Sequence, residues 1–287
     1  MWLFVAAGSA FVFGLAGLLM KISQVRGGAL SSLLLGLYAA GTCGFWAQAL
    51  WTGSWQPADG RVWLWGAIVG LGSAWGNLLF MKALDCGPAS LTSPLTNGNV
   101  VIVAAFGVLW FGEPVGVPAL AGAALIVAAV IVLSSKSESG GAITDKRWYA
   151  CTAGAMLLFV FRNGGLKVTD SLGLDSASVL WAGYLLSWAW FALSANRERR
   201  RAAGAPDAAA RNAGFAWGLA AGVCSYGGLQ LYATALSLGP SYAVAPIFAA
   251  NSLVVAAGSL ILYREKLTAP MRWALALLLA GLVLVRL

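Results

Sequence analysis

Polar side chains that can form hydrogen bonds recur at one-turn spacing inside otherwise apolar stretches of this sequence. Ser93 and Asn97 are four residues apart, and Tyr226 and Gln230 share that spacing, so each pair lies on one helical face. Such groups could bind a small polar molecule, or they could join neighbouring helices. As a set they favour ligand binding, and the candidate residues are Asn77, Ser93, Asn97, Asn99, Arg162, Tyr226, Gln230 and Asn251.

Arg162 is the charged member of this set. It follows an apolar run and precedes Asn163 and two glycines in the sequence FVFRNGG. A basic residue inside a membrane is costly and indicates function, whereas one at the end of a span can extend to the lipid headgroups, and both interpretations stay open. No Asp or Glu lies near the middle of an apolar run. We therefore expect a neutral, zwitterionic or anionic substrate.

The residues that catalysis and metal binding use are scarce. The sequence has no His, and its four cysteines include no closely spaced pair. It also has no pair of carboxylates within the apolar runs. We therefore predict no catalytic residue, no metal site and no cofactor, which makes an intramembrane enzyme the least favoured class of function.

The elements that must position these residues are membrane helices. The 287 residues are 60% hydrophobic and 10% charged, whereas a soluble domain contains about 25% charged residues. Ten runs approach the ~20 apolar residues that cross a bilayer, and they are apolar on all sides, which favours helices over barrel strands. They cover residues 3–20, 30–50, 62–81, 89–110, 115–134, 148–165, 176–195, 213–235, 241–262 and 269–286.

The sequence repeats itself at an offset of 152 residues. LDCGPASLTSPL at 84–95 returns as LSLGPSYAVAPI at 236–247, and Asn99 corresponds to Asn251. Matches of Pro and Asn are rare by chance in such an apolar composition, so the similarity indicates a duplicated unit.

The repeat extends upstream and defines the domains. For residues of the second unit up to the end of segment seven, the offset from the first unit is 146 instead of 152. This offset pairs Tyr38 with Tyr184. Because each unit has five helices, an odd number, the second must enter the membrane from the opposite side. We predict an all-α polytopic membrane protein of ten transmembrane helices as two inverted five-helix repeats, with repeats at 1–134 and 148–287 and a polar linker at 135–147.

Two prolines lie inside predicted helices at equivalent positions of the repeats. Pro94 and Pro246 each remove a helical hydrogen bond and free the carbonyl one turn earlier. The helices could be hinges that flex around a polar cavity, or they could carry static kinks. Occurrence in both repeats favours hinges. Segments three, four, eight and nine are expected to line the cavity, while five and ten serve as a scaffold or form a homodimer interface.

The ends of the two repeats carry a family pattern. Each has Gly-Pro at a helix start, a Pro one turn further on, a short loop containing Glu, and a final helix rich in Ala, Leu and Gly. Over its whole length the chain resembles the ten-helix EamA-type members of the drug/metabolite transporter superfamily. The family has many substrates, so the resemblance implies a transporter and leaves its cargo open.

Secondary-active transport is the favoured function. A small polar or amphipathic metabolite would move by alternating access through a cavity between the inverted repeats. The alternative is a flippase for a lipid or lipid-linked sugar on the same scaffold, which needs a cavity that opens sideways between helices. The expected partners are a small-molecule substrate and membrane lipids, without nucleic acid.

The basic residues predict the orientation. The net charge of +8 arises in loops between apolar runs, where it sets topology. Of the 18 Lys and Arg residues, fourteen fall in the loops after odd-numbered segments or their flanks, and four fall on the other side. Since basic loops stay in the cytoplasm, we predict both termini outside it, whereas the family usually has them inside. The expected location is a bacterial inner membrane.

Overall fold

The computed structural model describes residues 2–111, 116–134, 145–200, 206–238, 247–248, 250–264 and 267–284. Within these ranges the secondary structure is helical, without strands. The helices are α1 (Trp2–Val25), α2 (Leu30–Trp51), α3 (Gly60–Cys86), α4 (Ala89–Asn97), α5 (Asn99–Phe111), α6 (Val117–Ser134), α7 (Lys146–Ser171), α8 (Ser176–Arg200), α9 (Ala208–Leu238), α10 (Asn251–Tyr263) and α11 (Ala269–Leu284).

The helices have the length and composition of membrane spans. Among the described residues, α1, α2, α3 and α8 are each long and apolar enough to cross a bilayer. Shorter apolar stretches lie in α6, α10 and α11. The prediction of an all-α polytopic membrane protein is confirmed.

One predicted span is interrupted. The sequence predicted one helix over 89–110, and the structure has two, because α4 ends at Asn97 and α5 begins at Asn99. At the junction the Gly98 N–H donates to the Leu95 carbonyl at 3.0 Å and the Val101 N–H donates to the Gly98 carbonyl at 3.0 Å. Bonds that span three residues tighten the backbone and interrupt the α-helical ladder.

The chain divides into two compact units, and each contains segments of both predicted repeats. The first consists of Met1–Leu18, Lys82–Met156 and Gly227–Leu287, and the second of Leu19–Met81 and Leu157–Tyr226. The units are therefore not the repeats themselves. The repeat boundaries at 134 and 148 stay a prediction from sequence.

In the second unit α2 packs along α8, and these two helices hold equivalent positions in the repeats. Glycines bring further helices close to this pair. A Cβ built at Gly70 of α3 would lie 2.6 Å from the carbonyl oxygen of Gly183 on α8, so the two backbones touch. Gly218 and Gly222 of α9 approach the backbone of α2 in the same way. Small residues permit this close packing of membrane helices.

In the first unit equivalent helices also pack on each other. α6 packs along α11, its equivalent at the offset of 152, and α10, the equivalent of α5, packs against α4. The buried core between them consists of Ala83, Leu91, Leu95, Ile126, Ala129, Trp148, Ala274 and Leu278. In both units, then, helices from equivalent positions of the two repeats are direct neighbours.

Candidate functional site

The interruption of the fourth span carries a polar contact between two helices of the first unit. Asn97, at the last residue of α4, donates its Nδ2 hydrogen to Oδ1 of Asn251 at 3.0 Å. Asn251 is the first residue of α10 and is 6% exposed. A side-chain amide pair thus joins the ends of two helices in an otherwise apolar environment.

The two repeats are interrupted at the same register. The turn at Gly98 precedes α5, and the turn at Ala250, which is 152 residues later, precedes α10. The next residue in each case is Asn, and both side chains make the same bond. Asn99 Nδ2 donates to the Thr96 carbonyl at 2.8 Å, and Asn251 Nδ2 donates to the Phe248 carbonyl at 2.8 Å.

These bonds give the breaks their physical basis. A carbonyl released from the helical ladder has no partner in lipid and must be satisfied within the protein. Each asparagine adds a side-chain hydrogen bond from the start of the following helix to a carbonyl of the preceding turn. Asn251 therefore bonds through Nδ2 to the turn before its own helix while its Oδ1 accepts from Asn97, so one side chain joins the helix break to α4.

Aromatic side chains lie beside this polar pair. The Phe248 ring stacks on Tyr232 with centroids 4.3 Å apart, and Phe13 lies 5.2 Å away on another helix. All three side chains are half-buried. Amide groups next to accessible aromatic faces can contact a molecule that has both a polar and an apolar part.

Thr92 and Trp148 form a second polar contact in the first unit, one that sequence reasoning missed. Nε1 of Trp148 on α7 donates to the Thr92 hydroxyl at 2.8 Å, and Thr92 in turn donates to the Pro88 carbonyl at 2.8 Å. Both residues are fully buried. The bond fixes α7 to the start of α4, a structural role.

The polar cluster of the second unit is built on Tyr38. Its hydroxyl accepts a hydrogen bond from Nδ2 of Asn77 on α3 at 2.9 Å. Its ring meets Tyr184 of α8 edge to face with centroids 5.1 Å apart, and it stacks on Phe191 at 5.6 Å. Tyr38 and Tyr184 are the pair that the 146-residue offset aligns, so the repeat contained a signal for this site.

Arg162 lies in the same unit, inside α7 and not at its end. Its guanidinium carbon is 4.5 Å from the centroid of the Phe159 ring, and Nε donates to Oδ1 of Asn163 at 3.1 Å. Among the described residues no carboxylate forms an ion pair with it. The guanidinium is therefore held by aromatic and neutral groups, which leaves its charge without a counter-ion in that part of the chain.

Ser73 and Tyr226 complete the surroundings of this second cluster. Ser73 is 1% exposed, and its hydroxyl has no partner among the described residues. It lies one turn before Asn77 on α3. Tyr226 is half-buried, and its ring meets Phe45 edge to face at 5.1 Å.

The candidate residues predicted from sequence thus divide between the two units. Asn77, Arg162 and Tyr226 belong to the second, and Ser93, Asn97, Asn99, Gln230 and Asn251 to the first. Ser93 and Pro94 are buried within α4, Gln230 is half-buried on α9, and Pro246 lies outside the described residues. Their convergence on one substrate site stays a prediction.

No group suited to a resident metal appears in the described ranges. There, no three His, Cys, Asp or Glu side chains come together, and the four cysteines are unpaired. The arrangement offers amides, hydroxyls, aromatic faces and one guanidinium. These groups can bind a small ligand through hydrogen bonds, aromatic contacts and one positive charge.

Comparison with known proteins finds a family match over the first part of the chain. Residues 1–135 match the EamA-like transporter family. An uncharacterized transporter in the cobO 3′ region of a Sinorhizobium species is 40% identical over 88 residues, which is 29% of this chain. The match spans 61% of that relative's length.

A solved structure supports the fold. One protein crystal structure is similar over 96% of this chain and 97% of its own, with a TM-score of 0.63 and 16% sequence identity. At that identity the likeness shows the fold alone. The family match over residues 1–135, the relative named as a transporter and the membrane helices agree with the resemblance to EamA-type transporters that the repeat ends indicate.

Proposed function

We propose that this protein is a secondary-active transporter that moves a small polar or amphipathic metabolite by alternating access between its two inverted repeats. The family and the relative named as a transporter support this class of activity. The bacterial inner membrane is the proposed location.

The observation that carries the proposal is the matched pair of helix breaks. Transporters built from inverted repeats commonly bind their cargo where spanning helices are discontinuous. Here the interruptions at Gly98 and Ala250 are equivalent in the repeats, and each is followed by an asparagine whose side chain donates to a carbonyl of the preceding turn. Two equivalent breaks allow the repeats to exchange conformations, which is what access from alternate sides requires.

Arg162 supports a substrate that is neutral, zwitterionic or anionic. Its guanidinium lies inside α7 beside Phe159, without a carboxylate partner in the described ranges. A cationic substrate would add like charge to an environment of low dielectric, where repulsion is strong. A carboxylate or phosphate on the substrate would instead supply the missing counter-ion through charge-assisted hydrogen bonds.

The test is a thermal-unfolding screen of the purified full-length protein against anionic, zwitterionic and quaternary ammonium compounds. We expect anionic or zwitterionic compounds to raise the unfolding temperature and tetraethylammonium to leave it unchanged. Compounds that stabilise the protein would then be tested for uptake into proteoliposomes.

Two variants test whether Arg162 causes the response to anionic compounds. R162Q should lose the response to anionic compounds, while R61Q, at an exposed residue that pairs with Asp59 at 2.8 Å, should keep it. Stabilisation by tetraethylammonium with R162Q unaffected would contradict the proposed substrate class. Scrambling of labelled lipid in proteoliposomes without metabolite uptake would indicate a flippase instead.

A further inference from the structure

Five arginines gather at one end of the second unit. Hydrogen bonds bring three helix ends together there: Ser31 of α2 donates its hydroxyl to the Glu198 carboxylate of α8, and the Ala29 N–H donates to the Ala210 carbonyl of α9 at 2.9 Å. The basic residues at these ends are Arg26, Arg197, Arg199, Arg200 and Arg211. We call this surface the arginine end.

The acidic residues of the arginine end are engaged elsewhere. Glu198 accepts the Ser31 hydroxyl, and Oδ1 of Asp207 accepts the Ala210 N–H at 2.6 Å as a cap of α9. Within the described part of the chain none of the five guanidinium groups forms an ion pair. Five positive charges therefore face two negative ones, and neither carboxylate neutralises an arginine directly.

A tryptophan lies beside the arginine end. Arg26 is exposed, and its guanidinium carbon is 5.1 Å from the centroid of the half-buried Trp217 ring on α9. Tryptophan concentrates at the boundary between hydrocarbon and water. Arg197, Arg199 and Arg200 are exposed in the last turn of α8, next to this boundary.

The opposite end of the same unit has a different charge. The Ser178 hydroxyl donates to the Ser54 carbonyl at 2.6 Å, which joins the start of α8 to the loop after α2. Asp175 caps α8, and Asp59 pairs with Arg61 at 2.8 Å. With Lys167 and Asp170 at the end of α7, this end holds three acidic and two basic residues. The surplus of positive charge is thus at the arginine end, whereas the opposite end has one more acidic than basic residue.

We propose that the arginine end binds the phosphate groups of anionic phospholipids in the adjoining leaflet. Guanidinium groups bind phosphate through paired hydrogen bonds, and clusters of basic residues beside membrane helices attract anionic lipid. Trp217 holds Arg26 at headgroup depth, while the arginines of α8 extend from the neighbouring helix. The lipid supplies the negative charge that the protein lacks at this surface.

The experiment measures thermal unfolding of the full-length protein in an uncharged detergent with added phosphatidylglycerol or phosphatidylcholine. Because a ligand stabilises the state it binds, we expect phosphatidylglycerol to raise the unfolding temperature by about 3–5 °C, and phosphatidylcholine to change it by less than about 1 °C. The phosphatidylglycerol shift should shrink at about 0.5 M NaCl, since salt screens exposed charges.

Matched variants locate the site. R199Q/R200Q removes two positive charges from the arginine end, and R61Q/K167Q removes two from the opposite end. We expect the first variant to lose at least half of the phosphatidylglycerol shift and the second to retain it, each compared with its own lipid-free value. If the arginines only stabilise the end of α8, R199Q/R200Q will unfold earlier without lipid yet keep the full shift, which overturns the proposal. An equal shift from inorganic phosphate alone also overturns it.

Discussion

Tyr38 and Tyr184, which hold equivalent positions in the two repeats, meet edge to face with ring centroids 5.1 Å apart. The contact brings a residue of each predicted repeat together within the second unit. Their hydroxyls differ, however, because Tyr38 accepts from Asn77 at 2.9 Å while Tyr184 and Ser225 are 3.4 Å apart.

The tyrosine hydroxyls should contribute unequally to stability. Y38F leaves the Asn77 amide without its partner and should cost about 1 kcal/mol, or about 2–4 °C in unfolding temperature. Y184F removes a long contact and should cost less than half as much. Thermal unfolding of both variants in one detergent provides the comparison, and equal losses would contradict the unequal roles.

The contact between α3 and α8 should not tolerate a methyl group. In G70A the new Cβ would lie 2.6 Å from the Gly183 carbonyl oxygen, a backbone atom that cannot move alone. We expect destabilisation of about 1–3 kcal/mol. G8A is the control, because a Cβ there meets nothing within 4 Å, and alanine should stabilise the helix by up to about 1 kcal/mol. Similar unfolding temperatures for the two variants would exclude the close approach.

The bond between Asn97 and Asn251 should appear as a coupling energy. A double-mutant cycle with N97A and N251A should give about 0.6–2 kcal/mol, the range of hydrogen bonds between membrane helices. N97A combined with S259A is the control cycle. Ser259 lies two turns after Asn251 on α10, and its hydroxyl has no partner among the described residues. The coupling energy between N97A and S259A should therefore be near zero. Equal couplings in both cycles would argue against the bond.

Replacement by valine should affect stability differently at two buried threonines. T92V leaves Nε1 of the fully buried Trp148 without an acceptor and should cost about 1–3 kcal/mol. Thr152 is 1% exposed, and its hydroxyl has no partner in the described ranges. T152V should therefore be neutral or stabilising, since it removes an unsatisfied polar group. Chemical denaturation of both variants measures the difference, and a large loss in T152V would reveal a missed partner.

Both termini are expected outside the cytoplasm. Fourteen basic residues on one side against four on the other favour this orientation. A C-terminal alkaline phosphatase fusion should be active in whole cells, and a C-terminal fluorescent protein that matures only in the cytoplasm should stay dark. Fluorescence without phosphatase activity would restore the usual family orientation.

Much of the fold could be predicted because the apolar composition and the internal repeat each extend over long stretches of the sequence. Apolar runs of about 20 residues allow little besides membrane helices, and each predicted run overlaps a described helix, although several helices extend five or six residues beyond the run. The offset of 146 also pairs Tyr38 with Tyr184, two residues whose rings are in contact. The break at Gly98 was missed, although Asn-Gly-Asn is a local signal for a turn.

The contacts of the candidate site depend on packing, which the sequence does not specify. The offset of 152 pairs Asn251 with Asn99, yet the side chain that bonds to Asn251 across the helices is Asn97, on the other side of the turn. Likewise, no spacing rule relates Trp148 to Thr92, which are 56 residues apart. A repeat predicts which positions are equivalent, but it does not predict which of them touch.

The broken fourth span has a consequence for the synthesis of the protein. α4 and α5 have nine and 13 residues, about 14 and 20 Å, and neither alone covers the ~30 Å hydrocarbon layer. Asn97 bonds to a residue made 154 positions later, which a ribosome reaches after about 8–30 s. For that time the nascent chain holds the Asn97 amide in the bilayer without Asn251. A ribosome that stalls in this interval leaves a membrane-inserted chain with an open polar contact, which distinguishes it chemically from the finished protein.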